Sequence, residues 1–179
     1  MRIGISGAHS TGKTTLLNAL RSEPAFFNYH IGDEVTRRIA SYGIPINEQG
    51  TDITQILVMQ EHLVNVVMHE NLLTDRTALD GYSYTLELHE MGVVSDKVLA
   101  HADAIFKKVV PMYDILFYIR PEFAIEDDGV RTTDILFRDK ILSRFEQVIS
   151  AHHLPVVLLS GTVRERLNQF FKTFENPRF

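Results

Sequence analysis

Residues Gly7-Ala8-His9-Ser10-Thr11-Gly12-Lys13-Thr14 satisfy the pattern G-x-x-x-x-G-K-[ST] at every fixed position. No other stretch constrains the chain as strongly. The pattern has meaning only between a strand and a helix. Arg2-Ile3-Gly4-Ile5-Ser6 reads as that strand, and Thr15-Leu16-Leu17-Asn18-Ala19-Leu20 as the start of an amphipathic helix. Gly7 and Gly12 let several backbone N–H groups turn into one concavity. The concavity falls at a helix N-terminus, where unpaired N–H groups and the helix dipole favour an anion. Residues Gly7 to Thr15 are therefore the expected phosphate cradle. Lys13 is placed to reach β- and γ-phosphates, and the Thr14 hydroxyl to ligate magnesium.

Beyond this loop, helical and strand patterns alternate. A weak strand at Tyr29-His30-Ile31-Gly32 delivers Asp33-Glu34-Val35-Thr36-Arg37-Arg38, and Gly43 and Pro45 punctuate a loop. Ile53, Ile56, Leu57, Leu63, Val64, Val67 and Met68 recur at helical spacing, which predicts a helix from Asp52 to Glu70. Asn71 to Thr74 forms a brief strand ending at Asp75-Arg76, and Gly81 to Met91 a helix stopped by Gly92. Ser95 N-caps a helix to about Val110. Tyr113 to Ile119 is nearly all apolar, as a strand covered on both faces must be. Asp134 to His152 returns to helical spacing, Leu154 to Leu159 is the last strand, and a final helix follows Gly161-Thr162. The pattern predicts one α/β domain over residues 1–179: a three-layer P-loop NTPase fold with a parallel sheet and the ligand site at the strands' carboxyl ends.

Composition narrows the function. The net charge of −5 argues against broad nucleic-acid binding. There is no cysteine, hence no disulfide framework or thiolate metal site. No apolar run is long enough to span a bilayer, and Met1 to Ser6 is too short for a signal peptide, so a cytoplasmic protein is expected. A homodimer is one arrangement the sequence permits. His69-Glu70 and His89-Glu90 open like H-E-x-x-H, but Leu73 and Val93 occupy the second histidine position, so the zinc-protease reading fails.

Candidate chemistry lies at the strand ends. Asp75 follows the third strand, where an acidic residue holds magnesium in P-loop proteins; it is also the residue type of a plain helix cap. Glu34 is a candidate to accept the proton of an attacking hydroxyl. Arg37 and Arg76 are candidates to bind an anionic or polar acceptor. Arg131 and Arg138 flank the polar segment after the fourth strand, where an arginine can stabilise the charge spread over a transferring phosphoryl group. Gly129 offers that segment, about 122–138, a hinge as a small lid.

With these residues in place, the chain resembles the small P-loop nucleoside and nucleotide kinases, of the thymidylate kinase class. More narrowly it is similar to the AAA-type ATPase domain family that includes the nicotinamide riboside kinase domain of NadR-like proteins. The resemblance rests on Gly7 to Leu16, Asp33-Glu34-Val35-Thr36-Arg37, Asp75-Arg76, Asp128-Gly129-Val130-Arg131 and Ser160-Gly161-Thr162. It implies sheet order 2-3-1-4-5, ATP and Mg2+, a lid closing over the phosphates, and a last loop near the adenine. A clean thymidylate-kinase acceptor signature is missing around Asp75-Arg76, which leaves the small-molecule acceptor open.

The expected activity is ATP- and magnesium-dependent phosphoryl transfer to a small nucleoside, nucleotide or related metabolite. The alternative is an ATPase that couples hydrolysis to conformational change. Such an ATPase wants an Asp-Glu pair at its Walker B strand, whereas Asp75 precedes Arg76 and the Asp33-Glu34 pair follows the second strand. A GTPase is excluded: no lysine is followed two positions later by aspartate, so N-K-x-D is absent.

Overall fold

A computed structural model describes residues 1–32, 35–122 and 135–176. Among these residues five parallel strands form the sheet: β1 (Arg2–Ser6), β2 (His30–Gly32), β3 (Leu72–Asp75), β4 (Ile115–Ile119) and β5 (Val156–Leu159). Their order is β2-β3-β1-β4-β5, as the resemblance implies. Register sets Ile5 between Asp75 of β3 and Phe117 of β4. The end of β1, which feeds the glycine loop, therefore lies beside the end of β3.

Among the described residues, seven α-helices pack with the sheet: α1 (Lys13–Arg21), α2 (Val35–Ser41), α3 (Asp52–Met68), α4 (Ala78–Glu90), α5 (Asp96–Val109), α6 (Ile135–Ala151) and α7 (Val163–Glu175). The side-chain alternation of β4 shows why it is apolar throughout. Ile115, Phe117 and Ile119 join the layer with Leu16, Leu17, Leu20 and Phe170 of α1 and α7. Leu116 and Tyr118 face the other layer, with Leu79, Phe106 and Phe145 of α4, α5 and α6.

Several local readings differ from the sequence pattern. Residues 35–41, to which the sequence pattern assigns no element, form α2. Helix α4 starts at Ala78, because Thr77 and Asp80 make a capping box: Thr77 Oγ1 accepts from the Leu79 N–H (3.1 Å), and Asp80 Oδ2 accepts from the Thr77 N–H (2.9 Å). Ser95 precedes α5 as expected, but its hydroxyl makes no cap bond; its N–H instead donates to Asp52 Oδ1 at 2.8 Å. Residues 135–138 of the expected lid are the opening turn of α6, while 123–134 lie outside the described residues.

Helix α3 forms almost as the spacing predicts, yet its inner face is not its most apolar one. It buries Thr54, Gln55, Val58, Met59, His62 and Val66. Ile53, Val64, Val67 and Met68 are exposed. Among the described residues, no helix is long and apolar enough to cross a membrane.

Candidate active site

The loop between β1 and α1 is built as the glycine pattern requires. Gly7 has φ +150°, and a Cβ there would stand 2.3 Å from the Ile119 carbonyl oxygen. Gly12, the N-cap of α1, has φ +83°, and Ser10 also takes a positive φ of 58°. Left-handed residues among ordinary ones turn successive N–H groups to one side, which makes an anion-binding concavity. Lys13 is buried inside this loop. Its Nζ donates to the Gly7 carbonyl (2.7 Å), the Ala8 carbonyl (2.6 Å) and Thr11 Oγ1 (3.1 Å). An ammonium so held is oriented and desolvated, ready to exchange carbonyl partners for a stronger anionic one.

Thr14, on the first turn of α1, donates from Oγ1 to Asp75 Oδ2 at 2.6 Å. The two groups expected to share magnesium therefore converge. One hydroxyl and one carboxylate suit magnesium, which is commonly held by one or two carboxylates together with substrate phosphates. Among the described residues there is no cluster of three or more His, Cys, Asp or Glu that would form an all-protein metal cage.

Behind this pair, Arg76 leaves β3 with φ +77° and donates its N–H to the Ile5 carbonyl at 2.9 Å. A non-glycine residue held there stores strain, a mark frequent at functional sites. Its side chain is buried, 3.6 Å from Asp80 Oδ1 and with Cζ 5.4 Å from the centre of the Tyr84 ring. Burial raises the Asp80 pKa, and the positive charges of Arg76 and Lys13 pull against that rise. Asp80 Oδ1 also accepts the Gly7 N–H at 3.2 Å, so one carboxylate links the glycine loop, Arg76 and the start of α4.

A narrow cleft, with a cavity volume of about 20 Å³, opens on this side, between α3 and α4. Thr36 of α2, Asn47, Gln55 and His62 of α3, Arg76, and Asp80 and Tyr84 of α4 contribute to its lining. The Tyr84 hydroxyl lies 3.1 Å from His9 Nδ1, which joins the cleft wall to the phosphate loop. Phe137 of α6 packs edge-on against Tyr84, with ring centres 6.0 Å apart.

Behind the phosphate loop stands Arg166 of α7, a residue the sequence reading missed. It is buried, and its Nη1 donates to the Thr11 carbonyl at 2.6 Å. Its Nη2 donates to Glu122 Oε2 at 3.0 Å, an oxygen that also accepts the Gly161 N–H at 2.8 Å. Arg166 thus braces the phosphate loop against the loop after β5.

The structure brings together Lys13, Thr14, Asp75 and Arg76 with His9 and the rest of the glycine loop. Thr15 is on α1 but exposed. Arg37 is half-buried on α2, beside the cleft-lining Thr36, and is not itself a lining residue. Arg138 sits in the first turn of α6, with Nε 4.0 Å from Asp139 Oδ1. Glu34 and Arg131 lie outside the described residues. Gln55, His62, Asp80 and Tyr84 were not foreseen. Only Asp80 carried a readable signal, as the fourth residue of Thr77-Ala78-Leu79-Asp80.

Residues 2–166 match the AAA domain family. The chain belongs to that family. No curated protein sequence matches this AAA domain. Among solved structures, it is similar to the NadR protein in complex with NR, at 17% identity and a TM-score of 0.72. That match covers 99% of this chain and 52% of NadR, so the AAA domain spans about half of that protein's length. It is also similar to the deoxyadenosine kinase from M. mycoides bound to the products dCMP and dCDP, at 15% identity and a TM-score of 0.71. There the match covers 99% of this chain and 100% of the kinase. At these identities the likeness is one of fold: the five-stranded parallel sheet in the order 2-3-1-4-5 is that of the P-loop kinases.

Proposed function

We propose that this AAA domain transfers the terminal phosphoryl group of ATP to a hydroxyl of a small nucleoside-like acceptor. The observation that carries the reading is the cleft between α3 and α4. It sets a few polar side chains in a largely apolar wall and is tied to the phosphate loop through Asp80 and through the His9–Tyr84 contact. An ATPase that attacks with water needs no second binding place beside its phosphate loop. A kinase does, because it must hold an organic hydroxyl in line with the γ-phosphorus. The fold likeness to NadR and deoxyadenosine kinase supports a ring-bearing acceptor.

Thr14 and Asp75 are the residues that would hold magnesium, which when bound neutralises charge on the phosphates. Lys13 supplies a fixed cation on the loop's inner side. Arg76, anchored by Asp80 and strained at its backbone, presents its guanidinium to the acceptor. In the proposal Glu34 takes the proton of the acceptor hydroxyl as the new O–P bond forms and ADP leaves. Arg131, with Arg138 further along the chain, offsets charge on the transferring group.

The test is ADP release measured with ATP and magnesium, with and without each of deoxyadenosine, thymidine, nicotinamide riboside and the nucleoside monophosphates. Release that depends on one class of acceptor is the expected result. An equal rate in every mixture, including the one without acceptor, contradicts the proposal and favours the ATPase alternative.

A further inference from the structure

We infer that His62 is a specificity residue of the acceptor cleft, placed to hydrogen-bond the polar edge of the acceptor's ring. The inference rests on the proposed phosphotransfer. His62 lies on the inner face of α3, two turns beyond Gln55, and both line the cleft with Arg76 and Tyr84. It is only 1% exposed, yet neither Nδ1 nor Nε2 has a hydrogen-bond partner among the described residues. A buried polar group without a partner weakens the fold, and most buried groups avoid that state. A methionine or leucine would fill the same space without it. The fold therefore tolerates a cost at the wall of a binding cleft, where a ligand can offset it.

The opposite wall is shaped for this ring. Gly81 of α4 faces it, and a Cβ there would come 3.4 Å from His62 Cδ2 and 2.5 Å from Met59 Sδ. A Cβ at Gly81 would press first on Met59, the neighbour of His62 on the inner face of α3, so the glycine keeps the two helices close where the imidazole lines the cleft. The ring is held neutral by burial and by the nearby Arg76 charge. A neutral imidazole offers one N–H donor and one lone-pair acceptor. That pair fits a ring edge carrying both an acceptor and a donor, such as an amide or an amino-substituted heterocycle, while Arg76 takes electron-rich oxygens. Both nitrogens are closed off from solvent, so an acceptor meets them only as the cleft walls part around it.

The test compares wild type, His62→Met and His62→Gln in steady-state transfer to deoxyadenosine, thymidine and nicotinamide riboside, together with thermal unfolding. His62→Met is expected to raise the acceptor KM about tenfold while leaving the KM for ATP unchanged, and to unfold at a higher temperature. His62→Gln, which keeps a donor and an acceptor, should recover part of the acceptor KM. Unchanged acceptor KM in both variants, with an active wild type, overturns the inference and leaves the phosphotransfer reading standing. A wild type that transfers phosphate to none of these acceptors overturns the phosphotransfer reading, and the inference with it.

Discussion

The Thr14 hydroxyl donates to Asp75 Oδ2 across 2.6 Å, joining the first turn of α1 to the last residue of β3. The register of the sheet makes this possible. Asp75 pairs with Ile5, so the loop that starts after Ser6 returns Thr14 to the neighbouring strand end.

Asp75→Asn tests what that contact is for. An amide oxygen still accepts from Thr14, so the fold should keep its stability within about 1 kcal/mol. The lost negative charge should raise the magnesium concentration needed for half-maximal activity by about tenfold or more. A titration of activity with magnesium checks this. Unaltered magnesium dependence together with lowered stability would reduce Asp75 to a structural partner of Thr14.

Arg166→Met should cost about 2–3 kcal/mol of stability. It removes a charged donor from the Thr11 carbonyl and leaves Glu122 without its cation. Since Arg166 braces the phosphate loop, the KM for ATP should rise more than the KM for the acceptor. Urea unfolding and steady-state kinetics on one preparation check both halves.

Arg76 separates backbone strain from side-chain function. Arg76→Ala and Arg76→Gly both remove the guanidinium from Asp80 and the cleft. Only glycine adopts the φ of +77° without strain. The glycine variant should therefore unfold about 1 kcal/mol less readily than the alanine variant, with equally poor acceptor binding in both.

Much of this was legible in the sequence, for identifiable reasons. Gly7, Gly12, Lys13 and Thr14 are tied to one another by local chain geometry, so their spacing alone specifies the phosphate loop. Asp75 was legible because it ends a short apolar strand. The cleft was not. On α3 the exposed side carries Ile53, Val64, Val67 and Met68, whereas Gln55 and His62 face inward. Helical spacing reveals the helix but not which face meets α4. That choice is made by tertiary contacts, among them the close approach at Gly81. Arg166 was hidden for a similar reason: its partner Thr11 is 155 residues away.

Acid stability should report on His62. Burial first, and the Arg76 charge second, lower its pKa from 6.5 to about 3. The unfolded chain therefore binds a proton that the folded chain refuses. Stability contributed by the neutral ring is complete above about pH 6.5 and is lost progressively as pH falls toward 3, by up to about 4–5 kcal/mol. Asp80 acts with the opposite sign, since its raised pKa favours protonation in the folded state. Comparing wild type with His62→Met cancels the Asp80 contribution. The stability difference between the two should grow in favour of His62→Met as pH is lowered from 7 to 4. A constant difference across that range would show that His62 is not the titrating group.

The fate of the γ-phosphoryl group decides the central claim most directly. ATP labelled at the γ-phosphate is incubated with magnesium, the protein and deoxyadenosine or nicotinamide riboside, and the label is then resolved between acceptor and inorganic phosphate. Label on the acceptor is the expected result, falling by about a hundredfold or more in folded Lys13→Ala. Label released only as inorganic phosphate, at the same rate with and without acceptor, would contradict phosphotransfer and make this AAA domain a hydrolase.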